Sequence, residues 1–386
     1  MKKRKICIVL TTRGNYAKMK SVIQQIQDSE DLELQIVLGG MVVLEKYGKI
    51  LDTLDNLNFA ESRNINFVIE GENLITMTKS SGLAVTEFAT VCQDLKPDIV
   101  VIIADRFECL SFTMAAVYMN IAVAHVEGGE ITGSIDESIR HAITKLSHIH
   151  FPASIEAANR IRMMGEEKDS IHMVGGTSMD ELRRINVDDI DFSTELQENY
   201  GVGNIQKLSK ANYLIVIQHP VTTEYEDNFK HIQETIKAIK AIDMPVIWIM
   251  PNMDAGSDGV NKGIRQFRER DIPQFVHFFK SLPIEHYGPL LNNAACIVGN
   301  SSSGIRESAF LGTPSVNIGS RQHGRERSKN VIDVDYDMQT IINAIRSQLD
   351  NGKYKPDYLY GDGLSSSKIV EVLKHSELVR QKTITY

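Results

Sequence analysis

Residues 99–129 read IVVIIADRFECLSFTMAAVYMNIAVAHVEGG. Two apolar runs, Ile99–Ile103 and Ala122–Val126, flank a segment from Phe107 to Met119 with the 3.6-residue apolar spacing of a helix. Short runs rich in β-branched residues, with no polar alternation, read as parallel strands buried on both faces. Strand, helix and strand in succession predict an open parallel sheet wrapped by helices. The same pattern extends in both directions. Cys7–Leu10 and Leu34–Leu38 precede it, Leu74–Leu95 reads as a long helix, and Ile171–Val174 reads as a further strand. The rhythm weakens over the polar stretch Asn186–Lys210, which contains Gly201 and Gly203. It resumes with strands at Tyr213–Ile217, Val246–Met250, Phe275–Phe278, Cys296–Val298 and Val316–Ile318. The expected fold is α/β, with two Rossmann-like doubly wound domains around a central cleft. The domains are expected at 1–200 and 201–364. Segment 365–386 begins with a helix carrying Ile369, Val370, Val372 and Leu373. In such folds ligands bind beyond the carboxyl ends of the strands.

The chain has 386 residues, more than one ordinary core accommodates, which agrees with two domains. Hydrophobic residues at 42% and charged residues at 24% are ordinary globular usage. A net charge of −8 argues against nucleic acid as a partner, though local arginines and backbone N–H groups still suit a small anion. Cys7, Cys92, Cys109 and Cys296 show no C-x-x-C spacing, so buried free thiols and a cytoplasmic location are expected. The basic start, Met1 to Lys5, precedes an apolar run too short for a signal peptide or a membrane span.

Six polar clusters follow expected strands. The first, Thr11-Thr12-Arg13-Gly14-Asn15-Tyr16-Ala17-Lys18, opens a helix and offers an anion site, with Arg13 and Lys18 as its cations. The second is Asp105-Arg106. The third runs from His125 to His141 and gathers Glu127, Glu130, Asp136, Glu137 and Arg140 around Gly128 and Gly129. Asp136 is expected to cap the next helix, with Arg140 one turn along. Carboxylates at a strand end and just beyond it are what general acid/base chemistry needs. The fourth contains His219. The fifth, Gly299 to Glu307, is a small polar loop leading into a helix, suited to a phosphate, with Ser301 and Ser302 in the loop and Glu307 in the first helical turn. The sixth, Gly319 to Glu326, holds Arg321 and Arg325. His148-x-His150 matches no zinc spacing, and neither a dinucleotide fingerprint, a P-loop nor a G-x-S-x-G elbow is present, so no metal or cofactor is expected.

Together these segments, with Pro251–Gly256, resemble the hydrolysing UDP-N-acetylglucosamine 2-epimerases of sialic acid and related nonulosonic acid biosynthesis. They stand in the family's order over nearly the whole chain. The resemblance implies a GT-B-like fold, usually dimeric, whose last helix crosses back onto the first domain. It implies a UDP-sugar substrate. Proton removal at C2 and loss of the nucleotide from C1 give a glycal-like intermediate. Water then adds at C1, and C2 is reprotonated from the opposite face. By the same resemblance Asp105, Glu127 and Asp136 are acid/base candidates, and His219 and Arg140 assist the departing phosphate. Ser301, Ser302 and Glu307 hold diphosphate and ribose, while Arg13 and Arg321 meet anionic groups. Two residues depart from the family's pattern: Ala104 stands where much of it has glycine, and Asn15 where a carboxylate is commoner. Both bear on the sugar, and a 2,4-diacetamido-2,4,6-trideoxy sugar competes with N-acetylglucosamine. A GT-B glycosyltransferase would share the fold, but the carboxylate density from Glu127 to Glu137 argues against it. A silent nucleotide-sugar sensor would more easily have lost one of Asp105, Glu127, Asp136 and His219.

Overall fold

The structure is a computed structural model. It describes residues 3–44, 61–70, 74–132, 135–190, 192–193, 196–197, 200–203, 205, 207–251, 257–271, 273–378 and 381–385. Two compact units result. The first comprises 1–131, 135–181 and 361–386, the second 132–134 and 182–360.

In the first unit the strands are β1 (Arg4–Leu10), β2 (Leu32–Leu38), β3 (Glu61–Asn64), β4 (Ile99–Ile103), β5 (Ala122–Val126) and β6 (Ile149–Phe151). They form one sheet in the order β3-β2-β1-β4-β5-β6, every pair parallel. Helices α1 (Arg13–Gln27), α2 (Leu74–Leu95), α3 (Phe107–Tyr118), α4 (Ile135–Leu146) and α5 (Ile155–Met163) belong to it, and α6 (Ser178–Arg184) begins in it and ends in the second unit. Alternating strand residues enter two cores. Ile6, Ile8 and Leu10 join Ile99, Val101 and Ile103 against Val22 and Ile23 of α1. Cys7 and Val9 join Val100 and Ile102 against Phe88 of α2 and Phe112 of α3. Both faces are dry, which is why these strands carry no polar alternation.

In the second unit the strands are β7 (Gly201–Gly203), β8 (Leu214–Ile217), β9 (Val246–Ile249), β10 (Val276–Phe279), β11 (Cys296–Gly299), β12 (Ser315–Ile318) and β13 (Val331–Val334). The order is β13-β12-β11-β8-β9-β10-β7, and only β7 runs antiparallel. Its helices are α7 (Asn228–Ile242), α8 (Ser257–Gln266), α9 (Ile284–Asn293), α10 (Glu307–Leu311) and α11 (Met338–Asn351). Without β7, both sheets have the doubly wound order 3-2-1-4-5-6. Each therefore reverses its winding between the first and fourth strands, β1/β4 and β8/β11, where such folds bind ligands. The terminal helix α12 (Ser365–His375) belongs to the first unit, where Ile369, Val370 and Leu373 enter the core beside α1.

Three readings change. Ile171–Val174 is not a strand; Ile171 makes a single bridge to His150. The neighbouring β6 ends before Pro152, which has no N–H to continue a ladder. The polar stretch from Asn186 begins inside the second unit: Asn292 and Asn293 donate to the Val187 carbonyl at 2.9 and 2.8 Å. Asp136 lies inside the first turn of α4. The four cysteines are buried and unbridged. Among the described residues no helix is long and apolar enough to cross a membrane.

Candidate active site

In the first unit, β4 and β5 end side by side and present Asp105 and Glu127. Both ends depart from ordinary backbone geometry: Ala104 has φ +66° and Glu127 φ +64°. The left-handed region costs a non-glycine residue about 1–2 kcal/mol, so neighbours must hold it. The Ala104 amide donates to the Val126 carbonyl at 3.1 Å and the Glu127 amide to the Phe151 carbonyl at 2.9 Å. His125 completes the frame, its Nε2 2.9 Å from the Ala104 carbonyl and its Nδ1 3.1 Å from Thr144 Oγ1. Burial pushes His125 down to about 4, although the Ala104 carbonyl favours the cation. The ring is therefore neutral at neutral pH. A carbonyl can only accept, which fixes Nε2–H as the donor.

Each carboxylate meets a cation. Asp105 pairs with Nη2 of Arg140, whose side chain is 1% exposed against 22% for Asp105. Arg140 Nη1 also donates to the Glu130 carbonyl at 2.7 Å. Burial works against the guanidinium charge, but Asp105 and Glu130 outweigh it and hold the arginine above its usual pKa. Asp136, one turn earlier on α4, adds to the same negative field. Lys18 Nζ lies 2.6 Å from Glu127 Oε2, and Glu127 is 3% exposed. Arg13 opens α1 behind the N-cap Thr12, whose hydroxyl accepts from the Asn15 amide. The placement of the Arg13 side chain lies outside the described residues.

In the second unit, the switch between β8 and β11 is crossed by one side chain that the sequence did not single out. Asn300 is fully buried. Its Oδ1 accepts from the His219 amide at 2.6 Å, and its Nδ2 donates to the His219 carbonyl at 2.9 Å. Its own carbonyl accepts from Arg321 Nη1 at 3.2 Å and Gln322 Nε2 at 2.9 Å. The preceding Gly299 has φ +131°, and a Cβ there would stand 2.0 Å from the Ile217 carbonyl oxygen. Glycine is what lets the two strand ends approach. His219 is held well below its usual pKa by burial first and by Arg321 second, so it is neutral at neutral pH.

Beyond Asn300, Ser301 caps the short 3-10 turn Ser302–Gly304, its hydroxyl accepting from the Ser303 amide at 3.3 Å. Tyr287 of α9 shares a 2.6 Å hydrogen bond with Ser303. Burial raises the Tyr287 phenol, and the nearby Glu307 carboxylate raises it further. Glu307, the first residue of α10, is itself buried.

The structure thus joins Asp105 with Arg140, Glu127 with Lys18, and His219 with Arg321 through Asn300. Two expected anion contacts are used differently. Arg140 lies beneath Asp105 and Lys18 against Glu127. Each carboxylate draws a cation to it because a buried carboxylate costs too much unpaired. His148 and His150 are also engaged: the Val123 amide donates to His148 Nδ1 at 3.1 Å, and His150 Nε2 meets Glu166 at 3.1 Å. Pro251 is described, whereas 252–256 of the motif that follows β9 lie outside the described residues. Tyr287 lies outside the six clusters, and His125 and Asn300 stand within them without an assigned role. For Asn300 a signal existed, an amide side chain directly after a glycine that ends a strand.

Comparison with known proteins agrees with this arrangement. A sequence model described as UDP-N-acetylglucosamine 2-epimerase matches residues 24–374. A Legionella pneumophila UDP-N,N'-diacetylbacillosamine 2-epimerase (hydrolyzing) is 34% identical over 382 residues, covering 98% of each chain. A Neisseria meningitidis UDP-N-acetylglucosamine 2-epimerase is 32% identical over 378 residues, covering 97% of this chain and 96% of the relative. The crystal structure of UDP-GlcNAc 2-epimerase from Neisseria meningitidis bound to UDP-GlcNAc superposes with a TM-score of 0.77 at 19% identity, over 96% of this chain and 99% of that one. That likeness speaks to the fold, a two-domain Rossmann-like architecture of the GT-B type. The family match spans most of the chain, and the chain belongs to the UDP-N-acetylglucosamine 2-epimerase family.

Proposed function

We propose that this protein is a hydrolysing 2-epimerase that converts UDP-N-acetylglucosamine and water to N-acetylmannosamine and UDP, for sialic or related nonulosonic acid synthesis. The observation that carries this reading is the pair of carboxylates, Asp105 and Glu127, at the ends of adjacent strands, each held by its own cation.

Inversion at C2 needs proton transfer on both faces of the sugar, hence more than one carboxylate. In the first half-reaction a carboxylate takes the C2 proton, the C–H electrons form the C1=C2 bond, and the C1–O bond breaks to release UDP. In the second, the oxygen of water bonds to C1 and a proton reaches C2 from the opposite face. The sum adds one water and requires no change of oxidation state. Asp105, Glu127 and Asp136 handle the protons, Arg140 positions Asp105, and Lys18 positions Glu127. His219 and Arg321 stabilise the departing diphosphate, Ser301 and Ser302 hold it, and Glu307 takes the ribose hydroxyls. Arg13 meets the anionic substrate. The relative named as hydrolyzing supports the hydrolytic outcome, as does the reaction's need for water alone.

A second reading keeps the reaction and changes the sugar to a UDP-linked 2,4-diacetamido-2,4,6-trideoxy hexose. The Legionella relative favours it by name. One assay tests both. With UDP-N-acetylglucosamine in heavy water, the products should be UDP and N-acetylmannosamine with deuterium at C2. Asp105→Asn should slow kcat by about 10²–10⁴-fold. Faster turnover of the trideoxy substrate selects the second reading. Release of unepimerised sugar without C2 exchange removes both.

A further inference from the structure

We propose that Lys382 and Glu166 are positioning residues for the acid/base helix α4, bracing its carboxyl end so that Asp136 and Arg140 are held in register with Asp105. This rests on the reading above, which places those residues at the reacting sugar.

The last four C=O groups of a helix lack intrahelical partners and carry its negative end. In α4 that end is met from far along the chain. Lys382 Nζ donates to the Lys145 carbonyl at 2.8 Å and to the Ser147 carbonyl at 2.6 Å. Its third donor goes to Glu166 Oε2. An ammonium group has three donors, and all three are used. Glu166 is buried and takes Lys145 Nζ on Oε1 at 2.6 Å, while Oε2, which takes Lys382, also meets His150 Nε2 at 3.1 Å. Lys145 also donates to the Met164 carbonyl at 2.9 Å. One carboxylate therefore ties a residue of α4, a residue of β6 and the segment after α12 into a single knot. The Thr385 amide closes it by donating to the Gly165 carbonyl at 3.0 Å.

The knot lies at the opposite end of α4 from Asp136, yet it fixes where the helix sits. A helix is stiff, so a shift at its last turn is transmitted to its first. Misplacement of a catalytic group by about 1 Å costs on the order of 10²-fold in rate. Nothing in the knot belongs to the second unit, so nucleotide affinity should not change.

The test uses Lys382→Met in the full chain, with hydrogen exchange of the α4 amides as a readout that needs no substrate. Expected are faster exchange over 135–146, kcat lowered about 10- to 100-fold, KM changed less than about twofold, and UDP affinity unchanged. Should Lys382→Met not fold, Glu166→Gln, which keeps the shape and removes the charge, carries the same measurements. A kcat within about twofold of the parent, or α4 exchange unchanged, overturns the proposal. So does a loss of UDP affinity equal to the loss of kcat, which would mark general destabilisation. If the parent enzyme shows no C2 exchange with any UDP-sugar, the functional reading fails, while the exchange of α4 still judges the brace.

Discussion

Ala104 occupies a left-handed conformation at the end of β4, with φ +66°. Its methyl group packs, partly buried, against the first-unit core, and backbone strain of order 1 kcal/mol outweighs what a half-buried methyl contributes. Ala104→Gly should therefore stabilise the chain by about 0.5–1 kcal/mol, with glycine's greater unfolded-state entropy offsetting part of the gain. Denaturant midpoints of the two proteins would show it, and a destabilised variant would mean that the methyl packs more than it strains. Glu127 shares the geometry, with φ +64°, but cannot be exchanged freely because its carboxylate meets Lys18. Strain at two residues within one candidate site fits a backbone shaped by the position of the side chains rather than by its own preference.

At the scale of elements, the two halves solve the same problem with different means. Each sheet reverses its winding between two strand ends, and each must fix what projects there. In the first unit His125 and the Val126 and Phe151 carbonyls hold the loop backbones. In the second, Asn300 brackets the backbone of His219, donating to its carbonyl and accepting from its amide. Asn300→Asp keeps the acceptor but sets a carboxylate against the His219 carbonyl. It should weaken UDP binding by about 10- to 150-fold, the equivalent of roughly 1.5–3 kcal/mol. Calorimetric titration with UDP decides the point. Unaltered affinity would mean that the bracket is structural and that His219 does not meet the nucleotide.

At the scale of the whole molecule, buried neutral histidines set the response to acid. His125 in the first unit is lowered to about 4, His150 is lowered by burial, and His219 in the second unit is lowered well below its usual value. As pH falls below the unfolded value of about 6.5, the unfolded chain takes up these protons before the folded chain does. Stability is therefore complete above about 6.5 and declines between there and about 4. His125 alone accounts for about 3 kcal/mol of that decline. Glu166, held down to about 2 by His150, Lys145 and Lys382 against the opposing effect of burial, keeps its contribution until pH falls below its ordinary carboxylate range. Urea midpoints should drop between pH 7 and pH 4.5 for both units. Midpoints flat over that interval would show that these imidazoles take up protons in the folded chain at the same pH as in the unfolded one.

By itself the sequence determined the α/β class, most of the strand positions and the six polar segments from which the candidate site is drawn. Those features are local. A strand buried on both faces must be apolar throughout, as Ile99–Ile103 is, and a loop after it is where polar residues can stand. Elements with weaker local demands escaped: β3 and β13 are edge strands, each paired on one side, and their sequences carry no continuous apolar run. Tertiary structure decided which polar groups meet. Asp105 and Arg140 are 35 residues apart, His219 and Asn300 are 81, and Lys18 and Glu127 are 109. Arg4 reaches the Leu373 carbonyl across 369 residues, which places α12 in the first unit. Periodicity reports whether a residue is buried. It does not report its neighbour, because neighbours follow from strand order, and that order is settled only when the sheets assemble.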